Sequence, residues 1–193
     1  MKIVDLFCGC GGLSLGFQNA GFKIVAAYDK WQAALSVYQK NFEHECKMLD
    51  LSNIKDSVAE IESKHPDMII GGPPCQDFSS AGKRDEDNGR GDLTVNYAQI
   101  INRIRPKWFV MENVERITKT QKLIDAKKIF KEAGYGLSWQ VLDASKCGVP
   151  QKRKRFFMIG KLHEQDDFMA PFLQSGLSKT SMTLREYFGD SLG

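Results

Sequence analysis

The stretch KIVDLFCGCGGLSLGFQN (residues 2–19) sets the architecture. Lys2 to Phe7 reads as a buried strand, CGCGG as a glycine-rich turn, and Leu13 to Asn19 as the helix that follows. The same rhythm continues outward. Phe22 to Tyr28 is a second strand closed by Asp29, and Trp31, Leu35, Tyr38 and Phe42 mark one face of a helix. A short strand over Glu45 to Leu49 leads to Asp50 and Leu51, then Asn53 to Lys64 is helical until Pro66 stops it. Asp67 to Ile70 is a strand running into GGPPC, and Ser80 to Asp92 is a long polar loop. Tyr97, Ile100, Ile101 and Ile104 mark a helix, Trp108 to Met111 a strand ending at Glu112-Asn113, and Lys122 to Ala133 a helix ended by Gly134. Leu137 to Leu142 and Arg155 to Ile159 are the last strands, and the rhythm fades after about His163.

Strands alternating with helices predict an α/β domain with a mostly parallel sheet and helices on both faces. Such sheets bind ligands beyond the carboxyl ends of their strands. The glycine turn, Asp29, Asp50, Cys75 and Glu112 each follow a strand, so they should converge on one edge.

At 193 residues, 42% apolar and 26% charged, the chain has the composition of an ordinary globular domain. No apolar run approaches a membrane span. The start goes straight into a strand without a signal peptide, so a cytoplasmic location is expected. A formal charge of +3 is too small to identify a nucleic-acid partner, though Lys152, Arg153, Lys154 and Arg155 form a basic block. The five cysteines are an odd number and read as reduced thiols. Cys8 and Cys10 lack a second Cys or His pair at zinc-site spacing, and no metal is expected.

The turn Gly9-Cys10-Gly11-Gly12 lets backbone approach a ligand at a helix N-terminus. Ser14 stands where a dinucleotide fingerprint requires glycine, so an adenosine-containing cofactor fits better than a pyrophosphate. Asp29 is placed to accept from ribose hydroxyls; the alternative for the turn by itself is a tight strand-helix connection that binds nothing. Pro73 and Pro74 stiffen the backbone before Cys75, which reads as an accessible nucleophile rather than a core thiol, with a regulatory or inert exposed thiol as the alternative. Glu112 could bond a heterocycle or exchange a proton, or be a solvated strand end. Arg153 and Arg155 alternate on one face and could grip an anion or lower a thiol pKa.

Read in order, DLFCGCGG (5–12), GGPPCQDFS (71–79), ENV (112–114) and QKRKR (151–155) resemble the signature motifs of the cytosine-C5 DNA methyltransferases, over roughly residues 1–161. The resemblance implies a Rossmann-like S-adenosylmethionine-dependent methyltransferase fold, incomplete at the C-terminus. It implies that Cys75 attacks C6 of a cytosine flipped out of double-stranded DNA, while Glu112 holds N3 and the exocyclic amine. Arg153 and Arg155 would bind the base or an adjacent phosphate. Phe7, Gly9, Gly11, Gly12, Leu13, Lys30 and Pro74 would line the S-adenosylmethionine site, Asp29 its ribose, and Asp50 with Leu51 its adenine. The Ser80–Asp92 segment would be the family's mobile loop.

Two departures stand out. Asp29 replaces the family's usual glutamate, and Lys30 follows where an apolar residue often stacks on adenine. TLREYFGD (183–190) resembles the family's lead-in to its target-recognition domain. The expected division is therefore a catalytic and cofactor-binding domain over 1–163 and a lead-in over 164–193. A restriction-modification or phage type enzyme is expected, relying on a second polypeptide or further segment for recognition and the closing motif. The alternatives are a tRNA cytosine-C5 methyltransferase, against which Ser79 speaks because that branch carries threonine, and a non-catalytic remnant that binds cofactor or DNA.

Overall fold

A computed structural model describes residues 1–74 and 92–192. Central strand β1 (Lys2–Leu6) buries every residue after Lys2. Beside it β4 (Met68–Gly71) is buried throughout, the continuous apolar pattern of a strand covered on both faces. The seven-stranded sheet runs β3-β2-β1-β4-β5-β7-β6, with β2 Lys23–Asp29, β3 Glu45–Met48, β5 Trp108–Val114, β6 Tyr135–Asp143 and β7 Lys154–Leu162. The pairs among β1 to β5 are parallel.

The last two strands depart from the parallel expectation in one informative way. β7 enters between β5 and β6 and runs antiparallel to both. Its start, rather than its end, therefore lies at the carboxyl edge of β5, with Arg155 opposite Val114 and Phe157 opposite Glu112. That topology explains how arginines at a strand's start join groups that follow other strands.

Helices cover both faces. On one, α3 (Ile54–Glu62), α4 (Leu93–Ile104) and α5 (Gln121–Glu132) pack Ile61, Tyr97, Ile101, Ala126 and Phe130 against Val4, Leu6, Ile69, Phe109 and Met111. Phe109 and Phe130 stack with centroids 4.2 Å apart at the centre of this layer. Each of these helices starts on a side-chain cap: Asn53, Asp92 and Thr120 accept from the backbone N–H of Asp56, Thr94 and Leu123. On the other face, α1 (Gly12–Asn19) sets Leu13 and Phe17 over Ile3, Ile24, Met68, Ile70 and Val110, while α2 (Gln32–Asn41) packs Leu35 and Tyr38 with Cys8 and Ala27.

Beyond β7 the short helices α6 (Ala170–Ser175) and α7 (Leu184–Phe188) bury none of their residues. Phe172, Leu184, Tyr187 and Phe188 are all exposed there. The segment is tied to β6 and the turn after it, where Met169 N–H donates to Ser138 Oγ and Met182 N–H to the Ser145 carbonyl. Among the described residues no helix is long and apolar enough to cross a membrane.

Candidate active site

The turn after β1 is held in an unusual shape. Phe7 has φ 58°, a left-handed conformation that is strained for a bulky side chain. Gly9 follows at 53° and Gly11 at 97°. Asp29, at the end of β2, braces the turn: its Oδ2 accepts from Gly9 N–H at 2.9 Å and its Oδ1 from Trp31 N–H at 2.9 Å. Gly11 caps α1 without a side-chain hydrogen bond, leaving helix-start N–H groups open to a ligand.

The neighbouring glycines serve different ends. A Cβ on Gly11 would sit 2.2 Å from Phe42 Cε2 and 3.0 Å from Tyr38 Cδ2, so Gly11 exists for internal packing against α2. A Cβ on Gly12 would meet nothing within 4 Å, and Gly12 lines an open cavity.

Beneath the turn a polar chain runs through the protein. Asp5 is fully buried, and its Oδ2 accepts from Ser14 Oγ at 2.7 Å. Ser14 Oγ accepts from Tyr38 Oη at 2.7 Å, and Tyr38 Oη lies 2.6 Å from His44 Nε2. Burial pushes the Asp5 pKa up to about 7; Asp29 adds to the rise and the Ser14 hydrogen bond opposes it.

On the far side of the cavity, Glu112 at the end of β5 pairs with Arg155 of β7, Oε1 to Nε 3.1 Å. Burial raises the Glu112 pKa above the ordinary carboxylate value, and Arg155 and Arg153 pull against that rise. Gly72 leaves room for this carboxyl, since a Cβ there would lie 3.1 Å from Glu112 Oε2. Asn113, 3% exposed, donates from Nδ2 to the Pro73 carbonyl at 2.9 Å and so fixes the backbone two residues before position 75.

One cavity of about 580 Å³ joins the two sides, lined by Phe7, Gly12 and Leu13 from the turn and by Gly72, Glu112, Arg153 and Arg155. Leu142, Cys147 and Phe157, which the sequence did not single out, share it. Other expected residues sit apart from the lining. Gly9 and Asp29 form the brace, Lys30 and Pro74 are exposed, and the Asp50 carboxylate accepts from Ser52. Leu51 is 2% exposed within the core. Trp31, exposed beside Asp29, is an aromatic that sequence reading used only as a helix marker. Cys75, Ser79 and residues 80–91 lie outside the described residues; Asp92 appears as the cap of α4.

The model of the C-5 cytosine-specific DNA methylase family matches residues 1–192. The chain belongs to this family. It is 56% identical over 192 residues to the type II methyltransferase M.HindV of Haemophilus influenzae, and 53% identical to M.HgiDI of Herpetosiphon aurantiacus. All of the chain aligns in both cases, yet it spans only 63% and 62% of those relatives' lengths. A solved prophage-encoded DNA modification methyltransferase of E. coli superposes with TM-score 0.74 at 28% identity, over 98% of this chain and 54% of that one. S. pombe Dnmt2, 20% identical, shares the fold at TM-score 0.71 over 87% of this chain and 51% of its own.

For a C-5 cytosine-specific DNA methylase of this fold, S-adenosylmethionine is the general methyl source. The local structure fits such a cofactor. The strained Phe7, the open space at Gly12 and the uncapped start of α1 form a backbone-lined cradle at the cavity wall.

Proposed function

We propose that this chain carries the cofactor-binding and catalytic machinery of a restriction-modification DNA cytosine-C5 methyltransferase. The observation that carries the reading is the shared cavity, which joins glycine-turn residues to a paired glutamate and two arginines. S-adenosylmethionine, when bound, supplies the methyl group from an electrophilic sulfonium. In this reading Phe7, Gly9, Gly11, Gly12 and Leu13 form its cradle, with Gly11 acting through packing and Gly9 through the Asp29 brace. Asp29 lies toward the ribose, Lys30 follows it, Asp50 and Leu51 lie toward the adenine, and Pro74 at the loop.

Cys75 acts as the nucleophile toward C6 of a flipped cytosine, raising electron density at C5. After methylation C5 gives up its proton, the sulfur–C6 bond breaks with its electrons returning to sulfur, and the C5–C6 double bond re-forms. Glu112 faces the base edge. Its raised pKa suits a carboxyl that donates a proton toward N3 while accepting from the exocyclic amine. Arg155 holds Glu112 in place, and Arg153 adds positive charge for the base or its phosphate. Asn113 keeps the Pro73 carbonyl, and hence the approach to Cys75, in register.

Residues 1–163 form the catalytic domain in this reading, and 164–193 lead into a recognition segment. The exposed apolar residues Phe172, Leu184, Tyr187 and Phe188 suit a surface covered by that segment or by a second polypeptide. The test is transfer of labelled methyl groups to mixed-sequence duplex DNA, and in parallel to tRNA, with Cys75→Ala as control. Transfer to duplex DNA by the chain joined to, or mixed with, the part of its relatives that it does not span supports the reading. Transfer to tRNA alone, or full activity in Cys75→Ala, refutes it.

A further inference from the structure

The orphan oxygen of Asp5 is unexpected in so well packed a site. Oδ1 is fully buried and accepts from no described residue, whereas Oδ2 ends the hydrogen-bonded chain through Ser14 and Tyr38 to His44. Buried polar atoms without partners are rare in native proteins and usually have a reason. The members sit on separate elements: Asp5 in β1, Ser14 in α1, Tyr38 in α2, and His44 in the link to β3, partly open to solvent.

Each hydroxyl in this chain has one proton to give, so the chain has a direction. If Tyr38 donates to Ser14, as it does here, Tyr38 Oη must accept from a proton on His44 Nε2. Ser14 then donates to Oδ2 of an ionised Asp5. The opposite direction needs a protonated Asp5 donating to Ser14, Ser14 to Tyr38, and Tyr38 to a bare His44 Nε2. An imidazolium with ionised Asp5 passes to neutral His44 with protonated Asp5 when three protons each advance one bond, Nε2 to Oη, Oη to Oγ, and Oγ to Oδ2. No proton is gained or lost. The chain thus gives a buried carboxyl a proton route to the surface.

We propose that Asp5, Ser14, Tyr38 and His44 are a proton-coupled positioning relay, through which protonation at His44 sets the charge of Asp5 beneath the cofactor turn. Ser14 lies in the first turn of α1, and the Tyr38 ring packs directly under Gly11, so the relay grips both sides of that turn. The other titratable groups facing Asp5 are Asp29 of β2, Cys8 of the turn, Cys46 of β3 and Tyr97 of α4. None is cationic, so none neutralises Asp5, and solvent exchange through His44 is its outlet. Burial lowers the His44 pKa, which keeps its ring neutral in neutral solution. Coupling of the relay to ligand rests on the cofactor site proposed above.

The test is ¹⁵N NMR of the His44 ring in the whole chain across pH 5 to about 9, the range in which histidine and a raised carboxylate titrate. The signal is assigned by its loss in His44→Gln. Wild type should show the Nε2–H tautomer at the alkaline end. In Ser14→Ala the Tyr38 hydroxyl loses its inward acceptor and turns to His44, which should switch to the Nδ1–H tautomer. In wild type the neutral ring should pass to the Nδ1–H tautomer as Asp5 takes up its proton near pH 7, and Asp5→Asn, close in shape, should remove that pH-dependent switch. An unswitched tautomer in Ser14→Ala together with an unchanged pH-dependent switch in Asp5→Asn overturns the relay. S-adenosylhomocysteine is then added. It should shift the His44 midpoint in wild type but not in Ser14→Ala, and equal shifts in both rule out the relay as the route. Failure of that ligand to bind strikes the cofactor reading, and the tautomer result still decides the relay.

Discussion

The adjacent glycines of the turn make opposite predictions. Gly11→Ala introduces a Cβ at φ 97°, 2.2 Å from Phe42 Cε2 and 2.8 Å from Cζ. The left-handed backbone costs about 1–2 kcal/mol for an L-residue, and the overlap adds about 1–3 kcal/mol as Phe42 and α2 shift. Reduced freedom in the unfolded chain returns about 0.4–1 kcal/mol. The net expectation is a loss of about 2–4 kcal/mol. Gly12→Ala meets open space at an ordinary φ, so its stability should stay within about 1 kcal/mol of wild type. Its methyl group would instead occupy the cavity wall and weaken cofactor binding. Urea unfolding followed by the fluorescence of Trp31, Trp108 and Trp139 measures the first effect, and calorimetric titration with S-adenosylhomocysteine the second. Phe42→Ala supplies the internal check. It removes both overlapping ring atoms, so Gly11→Ala should cost about 1–3 kcal/mol less in that background. Equal cost in both backgrounds, or equal destabilisation by the two glycine substitutions, refutes the division of labour.

Other outcomes follow from the same geometry. Asn113→Ala leaves the Pro73 carbonyl without its buried donor; about 1–3 kcal/mol of stability should be lost, with methyl transfer falling further than cofactor affinity. Asp5 holds a proton in the folded chain up to about 7 against an ordinary value of 3.8. Between those values the native state binds the proton that the unfolded chain has released. Stability should therefore fall by about 4 kcal/mol from this group as pH rises from about 4 to 7, then level off. Urea midpoints for Asp5→Asn should lack this fall. Arg155→Met removes a charge that opposes the burial-driven rise at Glu112, so the ¹³C carboxyl titration of Glu112 should move to higher pH; a move to lower pH would contradict the assigned balance.

Much of the parallel half of the fold was legible because β1, β2 and β4 are compact apolar runs that meet glycine or aspartate, and α3, α4 and α5 each start on a capping side chain. Most element limits moved by a residue or two, as at α3, which covers Ile54–Glu62 where Asn53 to Lys64 was expected, whereas β5 and β7 run three residues past the expected Met111 and Ile159. The direction of β7 was not legible, because strand periodicity carries no sign and nothing in RFFMIG says which neighbour it will pair with. Convergence of Glu112 with the turn was readable from the rule of strand ends. The Asp5–Ser14–Tyr38–His44 chain was not, since its members come from four separate segments and Ser14 had drawn notice only as a missing glycine. Gly11 was read as lining the cofactor when its tightest constraint is the Phe42 ring, a contact between elements that no local pattern reports.

The position of β7 between β5 and β6 also orders events during synthesis. A nascent chain that has emerged as far as β6 already contains β1 to β5 and every residue that braces the glycine turn, but β5 still has one unpaired edge. Glu112 then has no Arg155 beside it. Domains tend to form from the N-terminus as the ribosome releases them. The side of the cavity that includes Phe7 and Gly12 can therefore mature first, and the side that would face a nucleobase closes only when β7 slots in. On the proposed reading, a half-made copy of this protein would hold its cofactor cradle before it had the side that would meet DNA.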